Sequence, residues 1–341
     1  MDRSAPSPND GAPVLDVRGL TTEIASRQGV LRPVDDVGFS LHAGEVMGLV
    51  GESGCGKSMT AYSLIGLLDP PARIVAGSVR LRGQELVGAD EETLRQVRGN
   101  RVAMIFQDPM MTLNPVLRID TQMIEAILAH RPMPHEQART LCRQALERVG
   151  IASAEQRLRS YPHQFSGGMR QRVAIAIALL NQPDLIICDE PTTALDVTIQ
   201  SQILHEMQGL CEETGTALLW ITHDLSVVAG LADRMCVMYA GRVVELGTTS
   251  RVLTRPRHPY TRALLASAPA RHARGQVLSQ IGGQPPSLAR LPPGCAFAPR
   301  CERAGADCAQ LPVLRRVVEG EVRCHRPVGE DAVVRGGAEH P

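Results

Sequence analysis

The sequence predicts an α/β fold built on a mostly parallel β-sheet. Short apolar runs typical of buried strands alternate with segments of helical periodicity between residues 46 and 239. One of these runs leads into a glycine-rich loop and another ends in two acidic residues. Because ligands of parallel sheets bind at the carboxyl ends of strands, these two places are the first candidates for a site. A chain of 341 residues suits one large domain with an extension, or two domains.

Overall composition argues against some classes of partner. Lysines plus arginines number 36 and aspartates plus glutamates also number 36, so the net charge gives no sign of a nucleic-acid partner. No stretch approaches the roughly 18 consecutive apolar residues that a membrane-spanning helix requires, and the start of the chain lacks the apolar core of a signal peptide. We therefore expect no nucleic-acid partner, no span within this chain and a cytoplasmic location.

The periodicity and the turn residues place the elements in order along the chain. The expected strands cover residues 14–17, 37–41, 46–50, 185–188, 217–222 and 234–239. The expected helices run from Lys57 to about Leu68 and over 121–130, 135–149, 169–180 and 198–214. A hairpin is expected around Gly241.

Changes in composition divide the chain into three predicted parts. Residues 1–13 are rich in Pro, Ser, Asp, Asn and Gly, so we expect a disordered tail. Residues 14–250 form the main domain, with a helical insertion from about residue 109 to 165. Residues 251–341, rich in Pro, Arg, Gly and Cys, form a C-terminal extension.

The first chemical motif is the segment Gly51-Glu52-Ser53-Gly54-Cys55-Gly56-Lys57-Ser58. It fits the G-x-x-x-x-G-K-[ST] pattern of a phosphate-binding loop, between a predicted strand and a predicted helix. Glycines let the backbone approach a polyphosphate, and the helix N-terminus attracts the anion. Lys57 would bind the β- and γ-phosphates, and Ser58 would bind Mg²⁺. The predicted nucleotide contacts of this segment are Gly51, Ser53, Gly54, Cys55, Gly56, Lys57, Ser58 and Met59.

A second motif is the pair Asp189-Glu190, which follows the apolar run Leu185–Cys188. At the end of a buried strand, Asp189 would hold Mg²⁺ and Glu190 would act as general base towards the attacking water. The alternatives are a glycine-rich turn for the first motif and a helix-capping acidic pair for the second. Their occurrence in one chain favours the nucleotide site.

Four further motifs resemble those of the ABC ATPases, in that family's order. They are Phe106-Gln107-Asp108-Pro109 (the glutamine loop), Phe165-Ser166-Gly167-Gly168-Met169 (the signature), Thr193-Ala194-Leu195-Asp196 (the D-loop) and Ile221-Thr222-His223-Asp224 (the switch histidine). The resemblance implies an ABC-type P-loop NTPase with a RecA-like parallel sheet, an antiparallel β subdomain and a helical insertion.

The same resemblance implies roles for single residues. Gln107 would contact Mg²⁺ and the attacking water, and His223 would contact the γ-phosphate. Ser166, Gly167 and Gly168 would bind the ATP held by a partner's phosphate loop, and Asp196 would lie at the interface. One departure concerns adenine, because residues 24–34 contain no aromatic side chain to stack on the base. An aliphatic or arginine platform is the expected substitute.

The C-terminal extension narrows the resemblance from ABC ATPases in general to one group of them. Arg257-His258-Pro259-Tyr260-Thr261-Arg262-Ala263-Leu264-Leu265 is similar to a segment that follows the ATPase domain in oligopeptide and dipeptide importers, of the DppD/OppD type. That family implies a peripheral ATPase at the cytoplasmic face of the inner membrane. It also implies three kinds of partner: a second, non-identical ATPase subunit, two transmembrane permease subunits and an extracytoplasmic peptide-binding protein.

The cysteines fall into two groups. Cys55, Cys142, Cys188, Cys211 and Cys236 are scattered, which indicates reduced thiols. Cys295, Cys301, Cys308 and Cys324 are separated by 5, 6 and 15 residues, and grouped thiols in a cytosolic protein indicate a metal. A 4Fe–4S cluster, Cys₄ zinc and unliganded thiols all remain open on spacing. The similar cysteine set of related importer ATPases implies the iron–sulfur cluster.

Other functions compete with peptide import. Nickel, glutathione or a peptide-like antibiotic are alternative cargoes, because other subunits choose the cargo. A non-transport ABC ATPase would share the nucleotide site, but the extension argues against it. A subunit that hydrolyses poorly is a third alternative, and the presence of Glu190 and His223 argues against that one.

Overall fold

The computed structural model describes residues 11–27, 29–192, 197–268 and 280–329. The strands are β1 (Leu15–Ser26), β2 (Gly29–Leu41), β3 (Val46–Val50), β4 (Ala72–Leu81), β5 (Gln84–Glu85), β6 (Val102–Ile105), β7 (Leu185–Asp189), β8 (Ala217–Thr222), β9 (Arg234–Tyr239), β10 (Arg242–Thr248), β11 (Arg315–Val317) and β12 (Gly320–Val322). The α-helices are α1 (Lys57–Leu64), α2 (Glu91–Val97), α3 (Ile119–Leu128), α4 (His135–Arg148), α5 (Ala154–Leu158), α6 (Gly167–Leu179), α7 (Val197–Thr214), α8 (Leu225–Leu231), α9 (Thr249–Thr254) and α10 (Pro259–Ala266).

The strands at 46–50, 217–222 and 234–239 confirm the sequence prediction residue for residue. Helix α1 begins at Lys57 as predicted but ends at Leu64, short of the predicted Leu68. The reason is Gly66, whose φ of 64° leaves the helical region before the prolines are reached. Strands β1 and β2 are longer than predicted, and with β4 and β5 they form a four-stranded sheet in the order β2-β1-β4-β5.

The chain divides into two compact units, and the first contains residues 1–17, 39–46 and 78–219. Within it, β6 and β7 pair in parallel, with Ile105 opposite Cys188. Helix α4 packs against α3, α5 and α6. Its buried residues Ala138, Cys142 and Leu146 recur every four residues, so one stripe of the helix faces its neighbours.

The second unit contains residues 18–38, 47–77 and 220–341. Strand β3 pairs in parallel with β9, and β9, β10, β12 and β11 follow as antiparallel neighbours. The predicted hairpin is confirmed at β9 and β10. Its turn residues Ala240 and Gly241 have φ values of 47° and 84°, as the tight turns of twisted hairpins require.

An aromatic cluster lies in the core of the second unit. The ring of Tyr260 lies 4.5 Å from that of Tyr239 and 5.4 Å from that of Phe297. These are three of the nine Phe, Trp and Tyr residues (four, one and four) in an aromatic-poor chain. Stacked and edge-on aromatic pairs add to the free energy of burial. The cluster therefore anchors residues of the C-terminal extension to β9.

Over the described ranges, no helix combines the length and the apolar character that crossing a membrane requires.

Candidate functional site

The predicted phosphate loop joins β3 to α1 in the second unit. All five residues of β3 are buried, so the loop begins where the chain leaves the sheet at the carboxyl end of the strand. Gly54 and Gly56 have φ values of 77° and 108°, which favour glycine. A Cβ at Gly56 would lie 1.9 Å from the carbonyl oxygen of Pro33. Sterics therefore require the last glycine of the motif.

The side chain of Lys57 lies over this loop. The residue is 5% exposed, and its Nζ donates hydrogen bonds to the carbonyl oxygens of Gly51 at 2.9 Å and Glu52 at 3.2 Å. Burial raises the pKa of the neighbouring Cys55 thiol, and the positive charge of Lys57 offsets only part of this increase. The thiol thus stays neutral and adds no negative charge where phosphates would bind.

Glu52 connects the loop to the C-terminal extension. Its backbone N–H donates to the Tyr260 hydroxyl oxygen at 2.9 Å. Its carboxylate accepts two hydrogen bonds from the Arg300 guanidinium, at 2.8 and 3.1 Å. Neither Tyr260 nor Arg300 was predicted as a site residue. They lie 208 and 248 positions from Glu52, and no local pattern signals a pairing at that separation.

His223 is the other predicted residue in this unit. It lies between β8 and α8 and is exposed. The next residue, Asp224, caps α8 by accepting a hydrogen bond from the Ser226 N–H at 2.8 Å. The cap fixes the start of the helix and hence the turn that presents the histidine.

The acidic pair lies at the end of β7 in the first unit. Asp189 is the last residue of the strand and is 5% exposed. Glu190 has a φ of 47°, a left-handed conformation that is uncommon for a residue with a side chain. Such strain clusters at functional sites, where the surrounding structure maintains it. This conformation is the strongest structural sign that Glu190 has a chemical role.

Gln107 is close to Glu190 in the topology of the same unit. Ile105 and Cys188 are paired in the parallel ladder of β6 and β7, and each candidate lies two residues after its member of this pair. Parallel strands end at the same edge of a sheet, so both side chains leave the sheet at one edge. Gln107 is exposed, and the following Asp108 caps a 3₁₀ turn at Pro109–Met111.

The signature residues form the start of α6, also in the first unit. Ser166 caps the helix by accepting a hydrogen bond from the Met169 N–H at 3.3 Å. Ser166 and Gly167 are exposed, and a Cβ placed on Gly167 would meet no atom within 4 Å. The positive end of a 13-residue helix is thus presented on an open surface, as an anion site requires.

The predicted residues are therefore distributed over both units. The phosphate loop and His223 lie in the second; Gln107, Ser166, Gly167, Gly168, Asp189 and Glu190 lie in the first. Asp196 and the rest of the segment 193–196 lie outside the described residues. The predicted Mg²⁺ ligands are divided in the same way, with Ser58 in the second unit and Gln107 and Asp189 in the first. Each side chain carries an oxygen of a kind that binds Mg²⁺.

The four grouped cysteines line one small cavity in the extension, whose lining includes Cys295, Cys301, Cys308 and Cys324. Burial raises the pKa of Cys324 to about 11, and repulsion from the other three thiols adds to the shift. None of the four forms a disulfide. Among the residues that the structure describes, no group of three or more His, Cys, Asp or Glu stands in an arrangement that could hold a metal ion.

Two family models match the chain. Residues 34–193 match the model described as ABC transporter, and residues 244–308 match the one described as oligopeptide/dipeptide transporter, C-terminal region. Among solved structures, a dimeric ATP-binding cassette in a post-hydrolysis state with bound ADP and Pi is 27% identical, with a TM-score of 0.62. The match covers 69% of this chain and 98% of that one. A component of the cbiONQ ABC transporter complex of Clostridium perfringens is 26% identical, with a TM-score of 0.61. That match covers 72% of this chain and 92% of the other.

Relatives of known name match over most of the chain, two of them from Escherichia coli and Bacillus subtilis. The oligopeptide transport ATP-binding protein OppD of Escherichia coli (strain K12) is 46% identical over 318 residues, 93% of this chain and 94% of its own. The dipeptide transport ATP-binding protein DppD of Bacillus subtilis (strain 168) is 46% identical over 299 residues, 87% and 89% of the two chains. The fold is that of an ABC-type P-loop ATPase, and the chain belongs to the family of ABC transporter ATP-binding subunits that carry the oligopeptide/dipeptide transporter C-terminal region.

Proposed function

We propose that this chain hydrolyses ATP to drive the uptake of dipeptides or oligopeptides by an ABC importer. The observation that carries the proposal is that an ABC cassette and the oligopeptide/dipeptide transporter C-terminal region occur in one chain. The relatives named for oligopeptide and dipeptide transport match both regions. Their names support peptides as the cargo class.

The proposed ATP site is shared between two subunits. The phosphate loop of one chain, Gly51–Ser58, binds the polyphosphate through its N–H groups and Lys57. The exposed start of α6 in the partner, Ser166–Gly168, binds the same nucleotide from the other side. Shifting such a pair from mostly open to mostly closed takes about 5.5 kcal/mol of differential binding. Two shared nucleotides are a sufficient source of that free energy.

Hydrolysis then depends on residues at the ends of β6, β7 and β8. Glu190 accepts the proton of the attacking water, and Gln107 orients that water from the adjacent strand end. His223 contacts the γ-phosphate, and Asp196 lies at the subunit interface. Ser58, Gln107 and Asp189 would hold Mg²⁺, which would supply positive charge to offset that of the phosphates. Once the γ-phosphate has left, the two halves of the site lose their shared ligand and the pair opens.

The proposed assembly contains several other polypeptides. A second ATPase subunit, expected to be a non-identical paralogue, completes the two shared sites. Two transmembrane permease subunits receive the motion, and an extracytoplasmic binding protein delivers the peptide. The chain thus works at the cytoplasmic face of the membrane. Family membership supports each of these partners.

We also propose that Cys295, Cys301, Cys308 and Cys324 hold a metal centre, a 4Fe–4S cluster in preference to zinc. Support comes from the convergence of all four thiols on one small cavity. Their present arrangement does not form a ligand set, so binding must draw the thiols together. Four thiolates are a sufficient ligand set for either centre. The centre would stabilise a region of short elements that has few large apolar side chains.

The decisive experiment reconstitutes this chain with its partner ATPase, permeases and binding protein in proteoliposomes. Dipeptides and short oligopeptides should accumulate only with ATP and should stimulate ATP hydrolysis. Nickel, glutathione and a peptide-like antibiotic, each supplied alone, test the alternative cargoes. Accumulation of one of these without peptide uptake would reject the peptide proposal. ATP hydrolysis that no cargo stimulates would instead favour a non-transport ABC ATPase.

A further inference from the structure

Glu52 is held by the C-terminal extension at both its backbone and its side chain. The Tyr260 hydroxyl accepts its backbone N–H, and the Arg300 guanidinium binds both oxygens of its carboxylate. A contact on the backbone and a contact on the side chain together fix the position and the direction of the residue. Glu52 is the second residue of the phosphate loop, so the loop is held from outside the cassette.

Arg300 is itself well anchored. Its side chain is 4% exposed, and that of Glu52 is 23% exposed. Besides Glu52, the guanidinium donates to the carbonyl oxygen of Gly282 at 2.8 Å and to the Tyr239 hydroxyl at 3.2 Å. A buried bidentate ion pair has one strongly preferred geometry. Removing one partner leaves an uncompensated charge. The contact therefore constrains the loop more than an exposed ion pair would.

Tyr260 is fixed by a second set of contacts. It is fully buried, and its backbone N–H donates to His258 Nδ1 at 3.0 Å. The N–H groups of Arg257 and His258 both donate to the buried carboxylate of Glu245 on β10, each at 2.8 Å. These bonds fix the start of α10 to the sheet. They thereby fix the position of the Tyr260 hydroxyl beside the loop.

From Glu52 the contacts continue into the nucleotide site. Its carbonyl oxygen accepts hydrogen bonds from Lys57 Nζ at 3.2 Å and from the Cys55 N–H at 3.3 Å. Lys57 binds the phosphates in the proposed function, on which this inference rests, so a displacement of Glu52 changes what the lysine contacts. A loop already fixed in its binding shape loses less conformational entropy when the ligand arrives.

We propose that Arg300 and Tyr260 are positioning residues of the nucleotide site, and that the extension pre-organises the phosphate loop through Glu52. Both residues act through Glu52, which they contact. The extension is then a functional part of the ATPase as well as an appendage specific to this family.

The test is a double-mutant cycle on nucleotide affinity in the full chain. Arg300→Gln and Glu52→Gln should each weaken the binding of ADP and of a non-hydrolysable ATP analogue about fivefold, the low end of typical coupling between sites. The double variant should bind no more weakly than either single variant, because both remove one interaction. In the assembled complex, the KM for ATP should rise while kcat stays within about twofold.

Two further variants keep the test decisive. Arg262→Gln removes an exposed ion pair with Glu302, 3.6 Å long, in the same extension, and should leave affinity unchanged. Tyr260→Phe keeps the ring in the aromatic cluster and removes only the hydroxyl oxygen, so it tests the idea even if Arg300→Gln fails to fold. Unchanged nucleotide affinity in folded Arg300→Gln and Tyr260→Phe would overturn the proposal. The proposal would also be overturned if the losses of nucleotide affinity in the two single variants multiplied in the double variant. Nucleotide binding by the wild type and by Arg262→Gln shows in either case that the phosphate loop works.

Discussion

At the scale of single residues, Glu190 combines a position at the end of a buried strand with an unusual backbone. Its left-handed φ of 47° ends the extended backbone of β7 directly after Asp189. A backbone conformation of this kind costs about 1–3 kcal/mol, and the folded structure maintains it here. That maintained conformation supports the proposed role of Glu190 as the general base.

Glu190→Gln therefore tests the base with little change in shape. ATP turnover in the assembled complex should fall by about a hundredfold or more, the usual contribution of a general base. ATP binding should remain, and the closed pair of subunits should accumulate. Turnover comes from steady-state phosphate release, and closure from size-exclusion chromatography with ATP. Glu213→Gln is the matched control, because Glu213 forms an exposed ion pair with Arg148. Unchanged turnover in Glu190→Gln would exclude it as the base.

Short local motifs in the sequence predicted candidate site residues, and contacts between residues far apart in the chain were missed. Gly56, Lys57 and Glu190 follow from short patterns whose chemistry depends on adjacent residues. Arg300 and Tyr260 contact Glu52 of the phosphate loop from more than 200 positions away in the sequence. Their contacts follow from how the extension packs against β9, and packing depends on shape over the whole unit.

At the scale of elements, strands were easier to predict than helix ends. The apolar runs of β3, β8 and β9 are bounded by charged residues and turns, so both ends follow from composition. Helix α1 ends at Leu64, two residues before Gly66, and the following prolines obscured the signal from that glycine. Helix α10 begins at a place decided by Glu245, which lies on a strand and carries no local sign of a capping role.

Glu245 should be among the most important residues for the stability of this element. Its carboxylate is fully buried, ion-paired with Arg251, and accepts the N–H groups at the start of α10. Glu245→Gln should lower the free energy of unfolding by about 3 kcal/mol, because it leaves a buried guanidinium without its counter-charge. Urea titration of the full chain measures this. Glu302→Gln, at an 89% exposed side chain, should leave the stability unchanged. Equal stabilities of the two variants would contradict the assigned role.

At the scale of the whole molecule, the extension contributes to both proposed sites. It supplies the four cysteines, and it supplies Arg300, which directly precedes Cys301. The 3₁₀ turn Ala298–Arg300 connects the two, with the Cys301 N–H donating to the carbonyl oxygen of Ala298 at 3.2 Å. A metal centre that rigidifies this turn would also rigidify the residue that holds Glu52. We therefore expect metal occupancy to affect stability and nucleotide affinity in the same direction.

Metal analysis of the chain purified without oxygen tests whether the metal centre exists. We expect brown protein with about four iron atoms per chain, as a 4Fe–4S cluster requires. Cys308→Ser should lose the iron and lower the free energy of unfolding by roughly 2 kcal/mol or more. Cys142→Ala, at a thiol buried in α4 and remote in sequence from the cluster, should retain the iron. Colourless protein containing one zinc ion would select the alternative centre. Absence of both metals from the anaerobic sample would leave the four thiols unliganded and reject the metal centre, while the hydrogen bonds that join Arg300 and Tyr260 to Glu52 would stand, because they need no metal.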